Sequence, residues 1–303
     1  MRRGLRIGHA PVTSDNAGRA VLAILIASLS FSMVGVMVRL AGDIPVYEKV
    51  FFRSVVSLVA MGLVGLRYRE NPFAQGRLIP MLVLRGVFGT AAMVLYFYAI
   101  AHLTLADATI LNKLSPFFVM IFAVLFLKER LARHLIPALL LAFVGAALVL
   151  KPQLDYRALP AVGGLISAMC SAGAYTVVRS LRGKIPPYTI VFWFSLVSVA
   201  AVAVPTTLAY VPPEPSQWLP LIGAGVFATS GQFALTYGYH QAQASRLSIY
   251  NYAHVVFAGL VALLLWREIP DAMSLVGIAL IIGAAVWNHR HLVRETRAAA
   301  TSG

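Results

Sequence analysis

The chain has 303 residues, 59% hydrophobic and only 12% charged, with a mean hydropathy of +0.80. So few charged groups cannot cover the surface of a soluble domain, which makes lipid the expected solvent for much of the molecule. The formal charge of +14 does not point to nucleic acid either, because Lys and Arg lie in short gaps between apolar runs rather than on one solvated face or tail.

In chain order, residues 1–19 form a basic tail carrying Arg2, Arg3, Arg6 and Arg19. The apolar run after it is long enough to span and no small-residue cleavage site follows, so it reads as a first transmembrane helix rather than a removed signal. Requiring about 20 apolar residues per crossing predicts helices at 20–40, 46–66, 77–101, 105–127, 134–151, 159–180, 187–210, 217–240, 247–266 and 273–288. Turn and breaker residues punctuate the gaps: Gly42 to Pro45, Asn71-Pro72, Pro152, Pro186-Pro187, Pro212 to Pro215 and Pro270-Asp271. No gap is long enough for a soluble domain, and 289–303 reads as a second tail. The expected fold is an all-α integral membrane protein of ten transmembrane helices. Cys170, the single cysteine, lies in an apolar run and cannot form an intrachain disulfide.

Basic residues set the orientation. With the N-terminus inside, the inner side holds Arg2, Arg3, Arg6, Arg19, Arg67, Arg69, Arg77, Arg85, Lys128, Arg130, Arg133, Arg179, Arg182, Lys184, Arg246, Arg290, Arg294 and Arg297. The outer side holds only Arg39, Lys49, Arg53, Lys151, Arg157 and Arg267. This bias places both termini in the cytoplasm, with a bacterial inner membrane as the expected location.

A shift of 139 residues lays 86–129 on 225–268, with identities that include Gly86/Gly225, Phe88/Phe227, Thr90/Thr229, Tyr98/Tyr237, Asn112/Asn251 and Glu129/Glu268. Shared apolar composition explains some of these pairs, but not the matched Asn and Glu. Each repeat, 20–151 and 159–288, contains five predicted spans. Five is odd, so the second copy enters the membrane from the opposite side, the arrangement that suits alternating access.

The stretch Arg85-Gly86-Val87-Phe88-Gly89, then Tyr98-Ala99-Ile100, Ala106-Asp107-Ala108, Pro116 and Leu127-Lys128-Glu129-Arg130, resembles the EamA family of the drug/metabolite transporter superfamily. Arg53 and Trp266-Arg267-Glu268 extend the resemblance. It implies a ten-helix bundle with a central cavity between two halves, and it leaves the substrate open among amino acids, nucleotide sugars and organic phosphates. The first span lacks the acidic residue of the small multidrug members, which disfavours proton-coupled export of cationic drugs.

Charged and strongly polar groups inside hydrocarbon are costly and call for an explanation. Lys113 lies about six residues into the fourth span with no acid at i,i+4, since Asp107 is on another face. It reads as an anchor for a carboxylate or phosphate; the alternative is a snorkelling side chain or a distant partner. Asn112 and Asn251 form a pseudosymmetric pair near the midplane, suited to a zwitterion, or else a pair of interhelical hydrogen bonds. In span nine, Asn251, Tyr252 and His254 join the candidate site, with His254 able to carry a proton or simply to bond within the bundle. Gln232, Tyr237 and Tyr98 are further candidates for lining the cavity, although aromatics more often serve packing. Glu129 and Glu268, ending equivalent spans, are gate candidates or plain helix-end acids. For Arg39, Arg53 and Arg85, snorkelling at span ends is the default expectation, and a role in ordering the entrance is the alternative.

No enzyme signature is present: no HExxH, P-loop, cysteine cluster or plausible GxSxG. No catalytic residue, metal or cofactor is assigned. The sequence reads as a secondary transporter of a small polar metabolite, most simply an amino acid or organic anion. Multidrug export is the alternative, ahead of a membrane-embedded receptor or enzyme. The expected surroundings are the lipid bilayer, with the chain a monomer or homodimer and no nucleic-acid partner. Even span count predicts that reporters fused to either terminus stay on one side: a C-terminal green fluorescent protein should fluoresce, whereas a C-terminal alkaline phosphatase should be inactive in intact cells.

Overall fold

The computed structural model describes residues 14–103, 109, 111–129, 133–150, 158–267 and 271–301. Among them there is no strand, only helices and turns. The principal helices are α1 (Ser14–Leu40), α2 (Val46–Arg67), α3 (Ile79–His102), α4 (Ser115–Leu127), α5 (Leu135–Leu150), α6 (Ala158–Ser180), α7 (Pro187–Leu208), α8 (Pro215–Gln241), α9 (Ala253–Trp266) and α10 (Ala272–Thr301). Eight helical segments are long and apolar enough to cross a bilayer, while α4 and α5 are shorter apolar helices. Lipid cannot hydrogen-bond a bare backbone, so helices that satisfy their own N–H and C=O groups are the natural elements here. Large apolar side chains turn outward along the bundle, among them Leu66, Leu125, Leu208, Leu219 and Leu264. In water that surface would be a liability; in a bilayer it is the solvated face.

The helices pack as a set of antiparallel neighbours: α1 lies along α8, α3 along α6, α5 along α10 and α2 along α7. Smaller contacts join α3 to α7 and α2 to α8, and α4 to α6 and α1 to α9. Since lipid provides little hydrophobic force between helices, close approach depends on small residues. At the α5–α10 contact, a Cβ on Gly277 would lie 2.5 Å from the Gly145 carbonyl oxygen, and one on Gly145 would lie 2.6 Å from that of Gly277. Only hydrogen fits at either position.

Two departures from the predicted spans matter. The fourth and ninth are not continuous helices. Before α4, the backbone tightens: Leu114 N–H bonds Leu111 O (3.1 Å) and Phe117 N–H bonds Leu114 O (3.0 Å), both i to i−3. Pro116, with no N–H, leaves the Asn112 carbonyl without its helical donor. Before α9, a short turn at Ala244–Leu247 leads into a 3-10 segment at Ser248–Tyr252. The tail expected from residue 289 is instead helical, as α10 runs on to Thr301; its Arg- and Ala-rich sequence favours helix beyond the apolar stretch. Both α4 and α9 are followed by a non-glycine residue in the left-handed region, Lys128 (φ 55°) and Arg267 (φ 55°), a conformation costing about 1–2 kcal/mol for an L-residue.

Gly277→Leu is expected to destabilise the bundle by about 1–3 kcal/mol through forced separation of α5 and α10. Gly277→Ala, with one methyl against a carbonyl, should cost less. Thermal unfolding of the detergent-solubilised protein would rank the two.

Candidate functional site

The fourth and ninth spans meet at their irregular points. Lys113 Nζ lies 3.2 Å from His254 Nδ1, and the Tyr252 hydroxyl donates to the Lys113 carbonyl at 2.7 Å. That carbonyl is free because Phe117 N–H turns to Leu114 instead, so the 3-10 turn in one half creates an acceptor that the other half fills. The His254 ring lies beside the backbone of Phe31, and Ser32 Oγ donates to the His254 carbonyl at 3.2 Å. With an ammonium donating to Nδ1, His254 is present as a neutral imidazole protonated at Nε2. Lys113 does not reach a carboxylate among the described residues.

The two asparagines face different neighbours. Asn112 Nδ2 donates to Ser167 Oγ (3.1 Å), whose hydroxyl donates to Ala92 O (2.7 Å). Asn251 Nδ2 donates to the Tyr239 hydroxyl at 2.9 Å, and the Tyr239 ring stacks on Tyr175 with centroids 5.2 Å apart. Asn251 and His254 therefore do not share a working face: the former turns to α8, the latter to α4. The 3-10 turn beneath them breaks the α-helical spacing on which a common face depends.

Beyond Tyr175 lie two arginines that form the most unusual feature of the interior. Arg85 is 1% exposed. Its Nη2 donates to Gln232 Oε1 at 3.0 Å, and its guanidinium carbon stands 4.1 Å from the centroid of the Phe194 ring. Gly89, one turn along α3, leaves the space that Arg85 and Phe194 occupy. Arg53 donates through Nη1 to the sulfur of Met93, a weak acceptor. Nε of Arg53, and both Nε and Nη1 of Arg85, are buried without a hydrogen-bond partner among the described residues. The electrostatic neighbours of the pair are Tyr175 and each other, with no Asp or Glu among the described residues. Snorkelling, the default for a span-end arginine, does not apply: Arg85 lies about 9 Å along α3 at 1.5 Å per residue, enclosed by α7 and α8. The arginines were legible as exceptional only through their position in the spans; a charge bias counts them as topology signals and misses them as site residues.

The remaining candidates sort by place. Gln232 is the hydrogen-bond partner of Arg85 and so joins the arginine wall. Tyr98 lies away from it, against His102 (centroids 4.4 Å) and Gly163 of α6. Tyr237 faces outward into a groove between α1 and α8 with Arg19, Leu22 and Phe233. Both belong to helices whose inward face is taken by other residues. Glu129 accepts from Arg179 Nε at 3.1 Å and from Ala244 N–H at 3.3 Å, while Arg179 Nη1 reaches the Tyr239 carbonyl at 3.4 Å. This ion pair fastens the end of α4 to the end of α6 and to the entry of the ninth span. Glu268 and Asp107 lie outside the described residues. Among the described residues no group of three or more His, Cys, Asp or Glu could hold a metal.

Comparison with known proteins agrees with this architecture. The sequence model of the EamA-like transporter family matches residues 18–151 and again 159–289. A pseudopaline exporter, CntI, of Pseudomonas aeruginosa strain UCBPP-PA14 is 38% identical over 88% of this chain and 94% of its own. An uncharacterized transporter of Helicobacter pylori strain J99 is 30% identical over 86% of this chain and 91% of its own. Human solute carrier family 35 member G1 is 27% identical over 89% of this chain and 79% of its own. A solved crystal structure superimposes with a TM-score of 0.79, covering 92% of this chain and 98% of the other at 21% identity; it speaks for the fold alone.

The side chains of Glu129 and Arg179 are only 7% and 11% exposed. Removing one partner should therefore cost far more than a surface pair would, about 3–5 kcal/mol, because the other charge is left buried. Glu129→Gln and Arg179→Met should each lower the melting temperature strongly, whereas the double variant should recover much of the loss. A double-mutant cycle by thermal unfolding reads the coupling.

Proposed function

The chain belongs to the EamA-like transporter family, and from that premise we propose that it is a secondary transporter exporting a small organic anion, amino-acid-like in size and polarity, by alternating access. It is an integral membrane transporter and not an enzyme. The observation that carries the anionic reading is the arginine wall: a buried Arg85 and a half-buried Arg53 with unfilled donors, and no carboxylate among the described residues acting on them. An uncompensated charge inside a membrane bundle is expensive and is kept where a ligand completes it. A planar carboxylate or phosphate fits a guanidinium fork. Lys113, Asn112, Asn251, Tyr252 and His254 complete the site in this reading. The naming of the Pseudomonas relative as an exporter supports the outward direction.

We further infer two five-helix repeats, 20–151 and 159–288, related by inverted topology, with cytoplasmic tails at 1–19 and 289–303 in a bacterial inner membrane. Exchanging α1–α5 with α6–α10 carries the α1–α8 contact onto α6–α3, α2–α8 onto α7–α3, and α4–α6 onto α9–α1. The same 139-residue shift carries Lys128, with its left-handed backbone, onto Arg267 with the same φ, and the turn at Lys113 onto that at Tyr252. Transport follows from rocking of one repeat against the other. The Glu129–Arg179 pair closes the end where α4 and α6 stop, and Glu268 is its counterpart at the other end. Multidrug export of cations fits less well, since a cationic drug would meet Arg53, Arg85 and Lys113 rather than an acid.

In proteoliposomes loaded with a labelled amino-acid and organic-acid panel, Arg85→Gln and Arg53→Gln should each reduce efflux of the transported anion at least tenfold, while Arg85→Lys retains part of it. Wild-type efflux of cations in preference to anions, or full activity in both Gln variants, would remove the anionic reading.

A further inference from the structure

Arg85 is fully buried in the interior and Arg53 and Lys113 are half-buried there, and among the described residues none of the three pairs with an acid. Arg53 and Arg85 project from α2 and α3 into a wall completed by Phe194 of α7 and Gln232 of α8. Lys113, ahead of α4, stands in a second place, among Phe31 and Ser32 of α1 and Tyr252 and His254 of the ninth span. The helices that carry them pack differently: α2 lies on α7 and α8, α4 on α6 and the turn at Ser248–Tyr252, and α3 touches both α6 and α7. Between them runs a polar, aromatic path, from the arginines to Tyr175, from Tyr175 to the stacked Tyr239, and from its hydroxyl to Asn251, next to Tyr252.

One carboxylate cannot serve both ends of that path. If a monoanion sat on the arginine fork, it would leave one of the two guanidinium charges and the Lys113 ammonium uncompensated. We propose that the cargo carries at least two carboxylates, one held by Arg53 and Arg85 and a second held by Lys113. The inference rests on the anionic reading above and deepens it to a dicarboxylate or higher acid. The neutral His254 orients the ammonium without contributing charge, and Tyr252, by filling the Lys113 carbonyl, fixes the backbone from which it projects.

The test is binding to the full-length protein in nanodiscs, with alanine as a one-carboxylate probe and aspartate, glutamate and 2-aminoadipate as two-carboxylate probes of increasing length. Each added charge-assisted contact should bring about tenfold or more in affinity. At least one diacid should therefore bind tenfold or more tighter than alanine. Lys113→Gln should lower affinity for that diacid about tenfold more than affinity for alanine, and Lys113→Arg should restore the difference; Arg85→Gln should weaken all four. If alanine binds as tightly as every diacid and Arg85→Gln still weakens it, the dicarboxylate class is wrong while the anionic reading stands. If none of the four binds to wild type, both fall.

Discussion

The constraint on which the interior turns is the burial of the Arg85 guanidinium, beside a half-buried Arg53, with no acid among the described residues to answer them. Arg85 is enclosed by its neighbours to 1% exposure, out of reach of bulk water in this structure. The chain provides only partial substitutes: an amide oxygen from Gln232, the face of Phe194 and, for Arg53, the sulfur of Met93. Each is a weaker partner than a carboxylate. Even the packing is arranged around the charge, because Gly89 gives up a side chain to admit the guanidinium and the ring beside it. A sequence selected only for stability would replace such an arginine by an apolar residue of similar volume, often at no loss. Its retention makes sense where something that is not part of the chain completes the charge.

The second constraint is backbone. Two spans are interrupted where they meet, and interruption inside a membrane is tolerated only where the freed groups find partners. At Lys113 the partner comes from across the bundle, in the Tyr252 hydroxyl. The same residue thus joins the two halves twice, through its carbonyl and through the ammonium on His254. A contact of this kind is suited to being broken and remade: it consists of a few directional bonds rather than interdigitated apolar side chains, so the cost of separation is confined to a few groups.

Much of the architecture was legible from the sequence because the physics of the bilayer is simple. Apolar length marks spans, and the bounds of α2, α5 and α6 lie within about two residues of the predicted ones, inside the ordinary scatter of helix ends. Lys113 and Asn112 stood out because a lysine and an amide in hydrocarbon are rare. What hydropathy could not give was direction. Tyr98 and Tyr237 occupy matched positions in the repeat, yet neither lies with the arginines. Their helices are apolar nearly all round, so no periodicity distinguishes the inward face. The broken spans were missed for a related reason: Pro116 and the polar run of 248–252 are compatible with a continuous helix by composition, and only the hydrogen-bond pattern reveals the 3-10 turns. The arginines of α2 and α3 were hidden by the rule that reads basic residues as topology markers.

These features bear on how a cargo would drive the proposed rocking motion. A ligand shifts an equilibrium between two states only by the difference of its affinity for them. The end where α4 and α6 stop is held by one nearly buried ion pair, supported by bonds to the Ala244 N–H and the Tyr239 carbonyl. The Tyr239 that receives Arg179 on its carbonyl also carries Asn251 on its hydroxyl and Tyr175 on its ring. That residue links the ion pair to the polar path leading to the arginines. An anion that draws on Tyr175, Arg53 and Arg85 would change the electrostatic surroundings of the stacked pair, and any displacement of Tyr239 would be felt at the Arg179 contact. The connection is short, made of packed and hydrogen-bonded groups, and it runs between a charge that waits for a partner and one that already has it.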